Sequence, residues 1–120
     1  KTNLINPVIK STQLIDFQQT ALKVLVEPHL IQFIAQIVNN TRNHNFLYLG
    51  ASPRASIAIL NASKSFALIN GRDFVTPDDI KYIAYYVLNH RLILSPEREM
   101  EGITIKDVVK QIVDTVEIPR

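Results

Sequence analysis

Val75-Thr76-Pro77-Asp78-Asp79-Ile80, continued by Ile83, Ala84, Val87 and Leu88, is the stretch that decides the fold. Thr76 is a helix N-cap, and Pro77 stands at the first helical position, where its missing N–H costs nothing. Asp79, three residues after the cap, takes the acidic half of a capping box, where Glu or Gln is more usual. Val75 and Ile80 occupy the hydrophobic-staple positions, and Asp78 and Asp79 suit the positive end of the helix dipole. The apolar residues that follow recur at helical spacing. Thr104 and Asp107 repeat this start, with Ile103 and Val108 as the staple, and open a last helix running to about Val116 through Val109, Ile112 and Val113.

Working outward, three more helices are predicted. Ser52-Pro53 opens one with a hydroxyl cap followed by proline. Its face is Ala55, Ala58, Ile59, Ala62, Phe66 and Ile69, and Asn70-Gly71 ends it in a left-handed residue. Pro28 starts another, with Leu30, Phe33, Ile34, Ile37 and Val38 as its stripe, closed by the polar run 39–45. Ser11 or Thr12 caps the first, whose Leu14, Phe17, Ala21, Leu22 and Leu25 carry it to about Val26. Lys1 to Lys10, with Pro7 and no period, reads as a linker, leaving 11–120 as the domain. Two short apolar runs, 46–49 and 92–94, suit a two-stranded ribbon. Strand and helix do not alternate, which argues against a doubly wound sheet. The expected fold is all-α: a small bundle of about five helices with at most this ribbon.

Composition narrows the chemistry. One domain of 120 residues can bury a core, and 47% hydrophobic with 20% charged residues excludes a disordered chain. A net charge of +2 is too weak a field to argue for nucleic acid. With no cysteine there is no disulfide framework, thiolate nucleophile or Cys-ligated zinc. No apolar run approaches the roughly 18 residues of a membrane span. The chain opens at Lys1, with neither an initiator Met nor an apolar leader, which points to a piece of a longer protein, and the lack of cysteine fits a reducing compartment, the cytoplasm. Gly50, Gly71 and Gly102 lie far apart, so no phosphate-cradling G-x-x-x-x-G-K-[ST] loop exists within the chain. His29, His44 and His90 lack metal-ligand spacing, and no serine sits in G-x-S-x-G, so neither a metal site nor serine catalysis is expected.

Gly50-Ala51-Ser52-Pro53-Arg54-Ala55-Ser56 puts an arginine in the first turn of a helix. A cation there opposes the dipole at a cost of a few tenths to about one kcal/mol. Arg54 at this cost is placed to meet an anion, since its planar fork grips phosphate oxygens at two points. An exposed or locally paired arginine is the other reading that the spacing leaves open.

The same seven residues resemble part of the C-terminal lid domain of MoxR-type AAA+ ATPases. So do the run from Asn70 to Ile80 (N-G-R-D-F-V-T-P-D-D-I) and the run from Leu88 to Glu97 (L-N-H-R-L-I-L-S-P-E). Glu101-Gly102-Ile103-Thr104 is similar to that family's segment before its last helix, and the resemblance covers roughly residues 5–118. It implies a helical lid over a nucleotide held by a separate P-loop domain. Arg54 then matches sensor 2, the lid arginine that reaches the phosphates, with Ser52 and Pro53 fixing the helix start that aims it. ATP and Mg2+ are the implied cofactors of the parent protein, bound mostly by the P-loop domain. The implied partners are that domain, neighbouring subunits of a hexameric ring and a von Willebrand factor A-domain protein, and the implied task is chaperone-like remodelling. The fragment itself should not hydrolyse ATP.

Other residues read as structural. Arg72 and Asp73 suit a tight turn, and Arg91 a salt bridge or helix C-terminal contact. His29 and His44 read as surface residues. Tyr82, Tyr85 and Tyr86 lie near the apolar stripe and suit packing or a subunit interface better than base stacking. Two alternatives compete with the lid. One is a nucleic-acid module, which the scattered lysines, Lys64 and Lys81 among them, do not favour. The other is an adaptor bundle without nucleotide.

Overall fold

The computed structural model describes residues 11–119, so the linker expected over residues 1–10 lies outside the described residues. The element order is α1 (Ser11–Leu22), α2 (Pro28–Arg42), β1 (Leu47–Leu49), α3 (Arg54–Ile69), α4 (Pro77–Leu88), β2 (Ile93–Leu94), α5 (Pro96–Met100) and α6 (Ile105–Thr115). The all-α expectation holds, with six helices among the described residues rather than five. The ribbon forms as an antiparallel β1–β2 pair, Leu47 opposite Leu94 and Leu49 opposite Ile93, with an irregularity between them.

The core is a single apolar cluster that joins α2, α3, α4 and α6. The α2 stripe is buried as the periodicity requires: Leu30, Phe33, Ile34, Ile37 and Val38. Ile80, Ala84 and Leu88 of α4 and Val108, Val109, Ile112 and Val113 of α6 face it. Both capping boxes are complete. In each, the threonine hydroxyl accepts from the aspartate N–H, and the aspartate carboxylate accepts from the threonine N–H. The staple residues Val75 and Ile80 are buried beneath the first box.

Three expectations need correction. The buried row of α3 is Ala55, Ile59, Ser63 and Ala67, whereas Ala58, Ala62 and Phe66 are half-buried and Ile69 is exposed. Three of the four are small, and α4 is the most extensive neighbour of α3. An apolar count misses this row because it contains a serine. Second, α1 stops at Leu22 rather than near Val26. The backbone of Leu25 is diverted into a parallel bridge, its N–H donating to Asp73 O and its O accepting from Val75 N, each at 2.9 Å. Third, Ser95-Pro96 not only ends an apolar run but starts α5. There Glu97 and Glu99 suit the positive helix end, and the Arg98 guanidinium lies 4.6 Å from the centroid of the Phe46 ring.

The end of α3 follows expectation. Gly71 adopts φ of 78°, the left-handed region that glycine enters without Cβ strain. Its N–H donates to Leu68 O and that of Arg72 to Ala67 O, the two bonds of a Schellman close. Arg72 then grips Asp79 with both guanidinium nitrogens, at 2.6 and 2.7 Å, and also donates to Phe74 O. The turn-stabilising reading of Arg72 is therefore right. Burial pushes the Asp79 carboxyl up, but the Arg72 guanidinium and the hydrogen bonds from Thr76 outweigh it and hold the group below the usual carboxylate range.

Candidate functional site

The site is built from the joint between α2 and α3. Gly50 lies so close to the last turn of α2 that a Cβ would sit 2.4 Å from Thr41 O and 2.6 Å from Arg42 Cα. Only glycine allows this approach. The next residue is fastened by the Thr41 hydroxyl, which accepts from the Ala51 N–H at 2.9 Å and donates to Val38 O at 2.6 Å. Thr41 and Ala51 are both buried, so neither group has water as an alternative. This clamp sets the start of α3 beside the end of α2, and therefore Arg54 near Arg42.

The start of α3 differs from the sequence expectation. Pro53 is the cap residue, in helical geometry, and there is no side-chain cap hydrogen bond. The Ser52 hydroxyl is not the cap. The Ala55 N–H instead donates to Ser52 O and the Ser56 N–H to Pro53 O, each at 3.0 Å, a tight turn that satisfies both donors through the backbone. Binding at this helix start therefore falls to the Arg54 side chain and the helix dipole, not to a row of free N–H groups.

Arg54 opens onto a cleft of about 780 Å³, walled by Arg42, Gly50 and Ser52 on one side and by His90, Arg91 and Ile93 beyond α4 on the other. Arg42, Arg54, His90 and Arg91 are all exposed, and no carboxylate lines the cleft among the described residues. Among the described residues, Arg72 is ion-paired with Asp79 and Arg98 with Glu101, while Arg42, Arg54 and Arg91 have no ion pair. The three unpaired arginines thus share one concave surface. Like charges gathered without a counter-charge focus a positive potential there, which suits a ligand with several anionic oxygens.

The cleft unites the residues read from sequence with residues read otherwise. Ser52, Pro53 and Arg54 all line it. Among the described residues Arg91 makes no salt bridge; its backbone N–H donates to Leu88 O at the end of α4, and the residue lines the cleft. Sequence reasoning missed Arg42 and Thr41. Arg42 in the last turn of α2 looks like an ordinary dipole partner, and Thr41 like a surface polar residue until Gly50 packs on it. His29 and His44 are half-buried rather than surface residues. His29 pairs with Glu27 at 3.4 Å, and His44 Nδ1 accepts from the Phe46 N–H while its Nε2 lies 3.3 Å from Gln111 Oε1.

The class defined by this architecture is a small helical domain that presents arginines from helix ends at an open cleft, without a phosphate loop of its own. The chain belongs to the AAA lid domain family, whose model matches residues 39–112, from the end of α2 into α6. It is 39% identical over 115 residues to "Uncharacterized protein YeaC" of Bacillus subtilis, covering 96% of this chain and 36% of that protein. It is 30% identical over 122 residues to "Chaperone MoxR1" of Mycobacterium tuberculosis, covering 94% of this chain and 32% of that one. A crystal structure described as a "putative ATPase" from Cytophaga hutchinsonii superposes with a TM-score of 0.86 at 33% identity, over 91% of this chain and 36% of that one. The chain spans about a third of the length of these relatives. MoxR proteins are thus among its relatives. No helix among the described residues is long and apolar enough to cross a membrane.

Proposed function

We propose that this domain is the lid of a MoxR-type AAA+ ATPase and that Arg54 is its sensor 2 arginine. The observation that carries the reading is the cleft: three unpaired arginines, no carboxylate, and Arg54 at the first position of α3. In the whole protein a P-loop domain, joined through residues 1–10, supplies the opposite wall and binds ATP with Mg2+. The residues present fit a phosphate chain. They do not fit its Mg2+, because the cleft lining offers no carboxylate ligand. The metal supplies Lewis-acid stabilisation from the P-loop side.

Arg54 holds the terminal phosphate and offsets the negative charge that grows on its oxygens during transfer. The Thr41–Gly50–Ala51 clamp ties Arg54 to the α2 end, so a pull on the guanidinium moves the bundle as a unit. Presence or loss of the terminal phosphate then becomes a change in lid angle, a rigid-body response. In a ring of such subunits, six on this reading, that movement drives chaperone-like remodelling of client complexes, with a von Willebrand factor A-domain protein as a partner. The relative named as a chaperone supports this task. The compartment on this reading is the cytoplasm.

The test is ATP turnover of the full-length protein carrying Arg54→Ala. Loss of one preorganised cation at the transferring phosphate is expected to lower turnover at least about tenfold. Circular dichroism should show the lid folded, since Arg54 is exposed and makes no ion pair. Wild-type turnover in a folded variant overturns the assignment.

A further inference from the structure

A second surface, sharing no residue with the arginine cleft, lies between α4 and α6. The core side of α4 is Ile80, Ala84 and Leu88; its flank presents Tyr82, Tyr85 and Tyr86. Their rings form a continuous ledge with Phe66 of α3. Phe66 stacks on Tyr82 at 4.9 Å, Tyr82 meets Tyr86 at 4.9 Å, and Tyr86 meets Tyr85 edge-on at 5.1 Å. Despite this packing, Tyr82 is 50% and Tyr86 54% exposed. Beside the ledge runs a groove of about 350 Å³ whose floor includes Val109 and Val113 of α6, both part of the core cluster. Val109 and Val113 are themselves buried, so the apolar surface the groove offers is that of the half-exposed Tyr82 and Tyr86 rings beside them, an arrangement that marks an interaction site.

The rim fixes the charge of the occupant. Lys81, Lys106 and Lys110 line it against a single carboxylate, Asp114. Lys110 is tied to Asp114 at 3.3 Å, and Lys106 lies 5.7 Å from the centroid of the Tyr85 ring. Lys81 and Lys106 have no carboxylate within ion-pair distance among the described residues. The geometry points to a docking groove for an acidic protein segment: one bulky apolar side chain enters between α4 and α6 while flanking carboxylates meet Lys81 and Lys106. The volume suits one or two large side chains rather than a whole helix.

Two other occupants fit less well. Nucleic acid needs open ring faces and a run of cations. Here Phe66 covers one face of Tyr82, Lys106 lies over Tyr85, and Lys81 and Lys106 make only a short track of cations. A second copy of the same face brings lysines against lysines. The inference is independent of the ATPase reading, because an acidic segment docks here whether or not Arg54 meets phosphate.

The test is fluorescence polarisation with the 120-residue chain and a fluorescein-labelled helical glutamate–leucine peptide of roughly fifteen residues. The expected result is saturable binding that weakens at least about tenfold when leucine is replaced by glutamine, when Tyr86→Ser opens the ledge, or when Lys106→Glu reverses the rim. Both substituted side chains are exposed but make ring contacts, so a cooperative thermal transition with at most a modest fall in Tm is expected to accompany the loss. Arg54→Ala and Arg91→Ala should leave peptide binding unchanged. The proposal is overturned by any of four results: no binding, binding indifferent to Tyr86 and Lys106, binding that moves with the cleft arginines, or preference for oligothymidylate over the peptide.

Discussion

Replacing Thr41 with valine keeps the branched shape of a buried side chain and removes only its hydroxyl. Thr41 Oγ1 is the acceptor for the Ala51 N–H at 2.9 Å, and Ala51 is 2% exposed, so the donor has no route to water. An orphaned buried N–H costs about 1–3 kcal/mol, offset in part by the extra buried methyl, worth about 0.8 kcal/mol. The expected net loss is about 0.2–2 kcal/mol, which lowers Tm by up to roughly 10 °C for a chain of this size. Thr41→Ser is the control: it keeps the acceptor and loses one methyl, about 1 kcal/mol. The two losses overlap in size, so the deciding assay is amide hydrogen exchange read at Ala51. The valine variant should lose protection there by at least about tenfold beyond its global loss of stability, and the serine variant should not. Equal protection of Ala51 in the valine and serine variants would refute the argument that the hydroxyl fastens the α2–α3 joint.

Gly50→Ala places a Cβ 2.4 Å from a backbone oxygen, so the loop must shift. Urea unfolding should show a loss of more than about 2 kcal/mol, and a stable variant would mean the joint is soft. Asp79 combines a capping box with a two-point bond to Arg72, and its side chain is 4% exposed. Its folded pKa lies below the unfolded value, so its contribution is complete above the unfolded carboxylate range and is lost as pH falls through the folded pKa. Wild-type stability should decline below about pH 4, and Asp79→Asn should be less stable at neutral pH yet show a flatter acid limb in pH-dependent unfolding. Ser63 Oγ is buried without a hydrogen-bond partner among the described residues, so Ser63→Ala should be neutral or stabilising by up to about 1 kcal/mol in thermal unfolding. A loss instead would mean that the hydroxyl does hold a bond.

Helix starts were the most legible part of this fold, because a capping box is a local device. Thr76 with Asp79, and Thr104 with Asp107, need only their own three-residue spacing to close, and both do. The α2 stripe and the ribbon were legible for a similar reason, since each is a pattern of apolar residues over a short span. What failed depended on partners distant in sequence. Leu25 keeps helical spacing, yet it leaves the helix to pair with residues 73–75. Ser63 is polar, yet its place four residues from Ile59 and Ala67 puts it on the buried row of α3. Ser52-Pro53 does start α3, but backbone carbonyls close the first turn and the hydroxyl makes no cap bond. For the cleft, the sequence singles out Arg54 from the dipole it opposes and Ser52 and Pro53 from their place before it, and all three line it. Arg42 and Arg91 were not legible, because an arginine near a helix C-terminus is stabilising wherever it points. Only the fold brings them together.

The central claim, that Arg54 meets a terminal phosphate, is tested most directly by nucleotide affinity rather than turnover. The measurement is the dissociation constant of the full-length protein for a slowly hydrolysed ATP analogue and for ADP, with and without Arg54→Ala. A hydrogen bond to a charged group is worth about 1.5–3 kcal/mol, so the triphosphate should lose about ten- to 150-fold in affinity while ADP affinity stays at the wild-type value. Equal losses for the two nucleotides, or no loss for either, would contradict the account.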